Sequence, residues 1–183
     1  MSTQLFGEPI PRNADPRLLK GEGAYVDDIP LTGALHSAFL RSPFARARIK
    51  SIDVSAARSY PGVVAVYTCD DIGFLDMEMP LLVPHPCLIG ARTQRPLARD
   101  DVYYVGQTVA MVVAVDRYTA EDAAALIDVD YEPLEVTVEL EAAAADGAHL
   151  VHPEIVGNIA ADFTQTSGDP DAAFARADHV TKV

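Results

Sequence analysis

Several kinds of chemistry could be drawn from the side chains of this 183-residue sequence, and each depends on spacing. Gly21-Glu22-Gly23 supplies two glycines of a phosphate-cradling loop, but a dinucleotide fingerprint needs a third glycine and a strand before it. A turn that requires positive φ accounts for the same residues. His149 and His152 stand three apart, which on a helix could turn two imidazoles toward one metal ion. Gly147 before them and Pro153 after them make the segment a loop, and no further ligand stands near in sequence, so they read as surface-loop histidines. Cys69 and Cys87 with His85 suggest a thiol–imidazole pair, yet they surround a proline-rich stretch without an oxyanion-hole signature and read as buried or incidental thiols. Asp27-Asp28, Asp70-Asp71 and Asp100-Asp101 are adjacent carboxylates that point apart in most backbone conformations, which suits turns and caps better than acid–base work. The residues alone therefore assign no catalytic, cofactor-binding or metal-ligating position.

The elements that would hold such groups read as α/β. Residues 1–17, with Pro9, Pro11 and Pro16, form an extended arm without periodicity. A mostly buried strand is expected over 33–42 and a second over 46–53, joined by Ser42-Pro43-Phe44 as a hairpin or bent pair. Asp53 caps a short helix that Pro61-Gly62 stops, and the β-branched run 63–68 follows as a strand. Residues 73–100 hold Pro80, Pro84, Pro86 and Pro96 with little period, which predicts a long irregular excursion. The near-continuous apolar run 109–115 predicts a central strand covered on both faces. Thr119 then caps a helix over 120–127, and a strand over 128–131 completes a β–α–β unit. An alanine-rich helix is expected over 139–145, ending at Gly147. Beyond it come a strand over 160–166, a helix capped by Asp169, and a strand over 179–183.

Composition narrows the classes of partner. Hydrophobic residues make up 49% and charged residues 22%, so the chain can bury a core. Its 27 acidic against 14 basic residues give a net charge of −13, which repels nucleic acid and anionic membranes. The longest apolar run falls well short of the ~20 residues needed to span a bilayer. The N-terminus lacks the charged and apolar regions of a secretory signal, which makes a cytoplasmic location the expectation. Two cysteines without a CxxC pair cannot by themselves hold a four-cysteine iron–sulfur or zinc centre.

The order of the motifs adds what no single one carries. Lys20 to Asp28 (KGEGAYVDD), Leu40 to Ile49 (LRSPFARARI), Ile52-Asp53, Ala56-Ala57 and Pro61-Gly62-Val63 are followed by Tyr104-Val105-Gly106-Gln107, Val109-Ala110, Val112-Val113-Ala114 and Val129 to Leu134 (VDYEPL). Gly157-Asn158 and Gly168-Asp169 with Ala172, Phe174, Ala177 and Asp178 close the series. This series resembles the opening of the large subunit of the molybdenum hydroxylases, the group of xanthine dehydrogenase, aldehyde oxidase and aerobic carbon monoxide dehydrogenase. Arg46 stands where many members have histidine and Gln107 where many have an acidic residue.

The resemblance implies an α/β (α+β) hammerhead domain over 18–150, preceded by the arm 1–17. Residues 151–183 would be a linker and the incomplete start of the following molybdopterin-binding domain. It implies a structural and subunit-docking role in an enzyme that hydroxylates an aldehyde, purine or N-heterocycle with oxygen from water, or oxidises carbon monoxide. Molybdopterin-bound molybdenum would lie in the rest of the large subunit, with two-iron two-sulfur clusters and FAD on partner subunits or domains. This chain would bind no cofactor and, isolated, be inactive. The arm and the excursion 73–100 are expected to face partners, and residues after about Asn158 to be mobile or paired between copies. The alternative is a free-standing protein-interaction or small-molecule-binding module on the same fold.

Overall fold

The structure is a computed structural model that describes residues 7, 9–90 and 92–181. They fall into two compact units, Met1–Ala34 and Leu35–Val183. In the first, helix α1 (Asp15–Leu19) begins where Pro16 occupies its first turn, so residues 15–17 are helical and not extended; residues 1–6 and 8 of the expected arm lie outside the described residues. Gly21 takes φ +73° in the turn that follows, as the Gly21-Glu22-Gly23 reading requires. Asp28 accepts a hydrogen bond from the Tyr25 backbone N–H at 2.9 Å, the turn role expected of the Asp27-Asp28 pair.

The second unit is built on two three-stranded antiparallel sheets. One has the order β1 (His36–Arg41), β5 (Thr108–Ala114), β3 (Val63–Tyr67); the other runs β4 (Asp101–Val102), β2 (Ala47–Asp53), β6 (Asp128–Pro133). β5 is the central strand its apolar run predicts: Ala110, Val112 and Ala114 are fully buried, while Met111 and Val113 on the opposite face are half-buried.

Two strand pairings differ from the sequence reading. β1 and β2 form no hairpin, because the Ser42 backbone bonds the loop before β5 on both sides, donating to Gln107 O at 2.9 Å and accepting from Gly106 N–H at 2.8 Å. The chain thus leaves one sheet at Ser42 and enters the other at Ala47. β1 is also mostly exposed rather than mostly buried, since it lies on a sheet edge. The run 108–133 likewise forms no β–α–β unit within one sheet, because β5 and β6 belong to different sheets.

Helix α2 (Ser55–Arg58) begins two residues after Asp53, whose carboxylate accepts the Ser55 N–H at 2.9 Å. Helix α3 (Arg117–Ala124) starts earlier than expected because its cap is Asp116, not Thr119; Asp116 accepts from the Thr119 N–H at 2.8 Å. Ala57 from α2 and Ala123 and Ala124 from α3 pack on Val66, Ala110 and Val112. The small side chains let helix and sheet approach closely, and the turn before β3 is equally tight: a Cβ on Gly62 would stand 3.0 Å from Thr119 Cγ2. A second core cluster, Ala47, Ala98, Val102 and Val109, joins the two sheets, with Ile52 and Val129 touching both clusters.

The described residues of 73–100 are irregular apart from a 3₁₀ turn at Gly73–Leu75 and the bridge at Leu88. Helix α4 (Leu140–Ala143) is shorter than its alanine run, and α5 (Pro170–Ala175) is capped by Asp169 as expected, Asp169 accepting the Ala172 N–H at 2.9 Å. The strand expected over 160–166 reduces to one isolated bridge between Ala161 and Leu88. Residues 179–181 form no strand, and residues 182 and 183 lie outside the described residues.

Candidate functional site

A concavity of about 740 Å³ lies where the excursion folds back over the start of β4 and β5. Its construction begins with backbone. Ala98 N–H donates to Thr108 O at 2.8 Å and the Thr108 hydroxyl donates to Pro96 O at 2.6 Å, so the returning limb of the excursion is fastened to the head of β5. The buried Gln107 accepts the Tyr103 N–H at 2.7 Å, fixing the loop between β4 and β5.

Arginines then tie the limbs together. Arg95 donates to Asp76 at its backbone oxygen (2.6 Å) and its carboxylate (3.1 Å), and Arg99 Nε donates to the other Asp76 oxygen at 2.6 Å. Arg99 also reaches Asp70 at 2.8 Å. Burial pushes the Asp76 carboxyl up, but hydrogen bonds from Arg99 and Arg95 and their positive charges outweigh it and hold it below the ordinary carboxylate range. Arg92 pairs with Glu78 at 2.5 Å and with Glu154, joining the excursion to the chain beyond α4.

His152 and Tyr103 form the polar floor, their rings tilted 37° to each other with centroids 4.4 Å apart. Burial, followed by the charges of Arg92 and Arg46, depresses the His152 pKa, so the ring is neutral at physiological pH. Burial raises the Tyr103 pKa and keeps its phenol protonated. Met79 to Val83 form an apolar wall opposite Gln94 and Tyr104. The floor offers a neutral imidazole and a phenol, with charges already paired inside the chain. The arrangement suits contact with a surface better than bond-breaking chemistry.

Of the residues singled out by sequence, His152 and the Asp100-Asp101 pair line this cavity and the others do not. His149 and His152 share no metal geometry: His149 contacts Arg46 Nη1 at 2.5 Å and lies 3.7 Å from Glu135. Arg46, the other departure from the family pattern, also donates to Leu150 O at 2.9 Å. Cys69 is buried and Cys87 half-buried, both free; His85 Nδ1 accepts the backbone N–H of Cys87 rather than facing its thiol. Asp71 accepts the Thr68 N–H and hydroxyl, each at 2.8 Å, and Asp101 lies 3.8 Å from Arg48, so these acidic pairs close turns and ion pairs. Among the described residues no three His, Cys, Asp or Glu side chains stand together as a metal site.

Sequence reasoning missed the Arg92, Arg95 and Arg99 ladder and Asn158. Asp76 stands 19 and 23 residues before Arg95 and Arg99, and Asn158 bonds the Ala143 and His149 carbonyls 15 and 9 residues back, pairings that no local pattern marks.

Two antiparallel sheets sharing a core, with an arginine-stapled excursion folded against them, define an α/β domain. Residues 20–135 match the family described as aldehyde oxidase and xanthine dehydrogenase, a/b hammerhead domain, and the chain belongs to that family, as the motif order led us to expect. It is 37% identical over 98% of its length to the nicotine 6-hydroxylase large subunit of Paenarthrobacter nicotinovorans. It is 40% identical over 93% of its length to the carbon monoxide dehydrogenase large chain of Afipia carboxidovorans. It covers 22% of each of these two relatives. Quinoline 2-oxidoreductase from Pseudomonas putida 86 shares the fold with a TM-score of 0.73 and 38% identity, over 93% of this chain and 21% of that one. The chain thus spans about a fifth of the length of the proteins it matches. Among the described residues no helix is long and apolar enough to cross a membrane.

Proposed function

We propose that this chain is the hammerhead portion of the large subunit of a molybdenum-containing hydroxylase or dehydrogenase, with a structural and docking role. The observation that carries the reading is alignment with large subunits over 93–98% of this chain while it spans 22% of them. In the complete enzyme, molybdopterin-bound molybdenum would be held by the rest of the large subunit. Iron–sulfur clusters and FAD would sit on partner subunits or domains. The described residues bring no three metal-ligating side chains together and hold two free cysteines, which do not make a four-cysteine iron–sulfur site, and no step of the reaction is assigned to them. The excursion and its arginine ladder would hold a fixed surface against the neighbouring parts. The substrate would be an aldehyde, purine, N-heterocycle or carbon monoxide, selected elsewhere, and the location cytoplasmic.

The test is metal analysis of the chain purified alone and of the same chain produced with its neighbouring reading frames. Stoichiometric molybdenum is expected in the second preparation only. Molybdenum retained by the chain alone, or a chain that never associates with a molybdopterin-binding polypeptide, would overturn the reading in favour of a free-standing module.

A further inference from the structure

From Met79 to Arg99 the sequence has three arginines and no carboxylate, in a protein with 27 acidic residues and a net charge of −13. This stretch also carries Leu82, at 89% the most accessible aliphatic side chain among the described residues, next to Val83 at 75%, between Pro80 and Pro84. Contiguous exposed apolar surface of this kind marks a contact site.

The tip is held in place rather than loose. The Met79 N–H donates to Gln94 O at 3.1 Å, and the Thr93 hydroxyl donates back to Met79 O, closing the base of the loop. On the far side the Ile89 N–H donates to Ala160 O at 2.9 Å and the Asp162 N–H to Cys87 O at 3.0 Å. Gly90 lets Ile155 pack against the loop, since a Cβ there would stand 2.9 Å from Ile155 Cγ1. A tip pinned on both sides loses little conformational entropy when it is buried, the condition for an efficient anchor.

The three arginines do not make the site an anion receptor. Arg92 is paired with Glu78 and Glu154, Arg95 with Asp76, and Arg99 with Asp76 and Asp70. What the composition does achieve is the absence of repulsion, because an acidic protein surface can approach this face without meeting a carboxylate on the tip.

We propose that Leu82 and Val83 insert as an anchor into an apolar cleft on the remainder of the large subunit. This rests on the function proposed above. The occupant follows from length: nearly four-fifths of each relative lies outside the span this chain matches. On that reading the remainder is present at equal stoichiometry, and the exposed tip without carboxylates is a surface it would cover.

The experiment uses the full large subunit assembled with its partner proteins, with a photo-reactive amino acid at position 82 and, as control, at Tyr118, an equally exposed residue on α3. Position 82 should cross-link to a peptide of the large subunit outside residues 1–183, and position 118 should not. Leu82→Asp should lower recovery of molybdenum-containing subunit about tenfold, as for a buried hot-spot side chain, with Tyr118→Asp at the native level. A cross-link from position 82 to a second copy of this chain or to another subunit would overturn the proposal. So would no cross-link together with native recovery of Leu82→Asp. In each of those cases molybdenum in the native preparation shows that the functional reading survives. A native preparation without molybdenum removes that reading and the anchor with it.

Discussion

Replacing Asn158 gives the sharpest test of how the segment after β6 is held. Asn158 is the non-glycine residue with positive φ among the described residues, at +57°. Its side chain makes three hydrogen bonds: Oδ1 accepts the Val151 N–H at 2.8 Å, and Nδ2 donates to Ala143 O at 3.0 Å and His149 O at 2.9 Å. At ~1 kcal/mol net per bond, Asn158→Gly should cost about 3 kcal/mol, since glycine takes the left-handed conformation freely. Asn158→Ala loses the same bonds and adds the left-handed penalty of a Cβ, for about 4 kcal/mol. The cost should fall locally, because the residues joined are peripheral to the two core clusters. Hydrogen exchange should show the Val151 amide losing ~100-fold or more in protection in both variants, while β5 amides change little. Urea titration should rank native above Gly above Ala. Variants within about 0.5 kcal/mol of native with Val151 still protected would refute the clamp, and a glycine variant less stable than the alanine variant would refute the backbone argument.

Two further outcomes follow from the same structure. Hydrogen bonds and charge from Arg99 and Arg95 outweigh burial at Asp76, and the Thr68 and Thr119 N–H groups hold Asp71 and Asp116 down, so all three carboxyls lie below their ordinary value of 3.8. Groups depressed in the folded state stabilise it above the unfolded pKa and lose that contribution as pH falls through the folded values, so unfolding should set in below about pH 4. Asp76→Asn should flatten the dependence of the urea midpoint on pH between about 5 and 2; an unchanged slope would contradict the assignment. Cys69 is 5% exposed and burial raises its thiol pKa, so a thiol reagent at pH ~8 should modify Cys87 first and Cys69 only on unfolding, and equal rates would place Cys69 at the surface.

What could be read in the sequence was local. The run 109–115 identified β5 as a central strand because burial on both faces writes itself into composition, and Asp169 identified α5 because a cap and its helix are neighbours. The errors concern partnership. Ser42-Pro43-Phe44 looks like a hairpin connection, yet Ser42 spends its backbone bonds on Gly106 and Gln107, and nothing near residue 42 announces that. The apolar residues of β6 likewise fit either sheet, and its pairing with β2 depends on which core is already filled. The candidate site was the least legible part. Its members come from 78–83, 92–107 and 152, and the contacts that unite them, Arg92 with Glu154 and Tyr103 with His152, span roughly fifty to sixty residues. The family pattern supplied the fold that periodicity alone left ambiguous.

The way the two sheets interleave along the chain also governs how this protein can be made. β1 pairs with β5 and β2 with β6, so each pairing joins residues roughly seventy to eighty-five positions apart. Neither sheet contains a pair of consecutive strands that could close early. At ~5–20 residues per second, the ribosome would expose β1 and β2 for several seconds before either partner emerges. High contact order of this kind slows folding and leaves apolar strands unpaired on the nascent chain, so production of this domain should depend on chaperone supply and improve with slower translation.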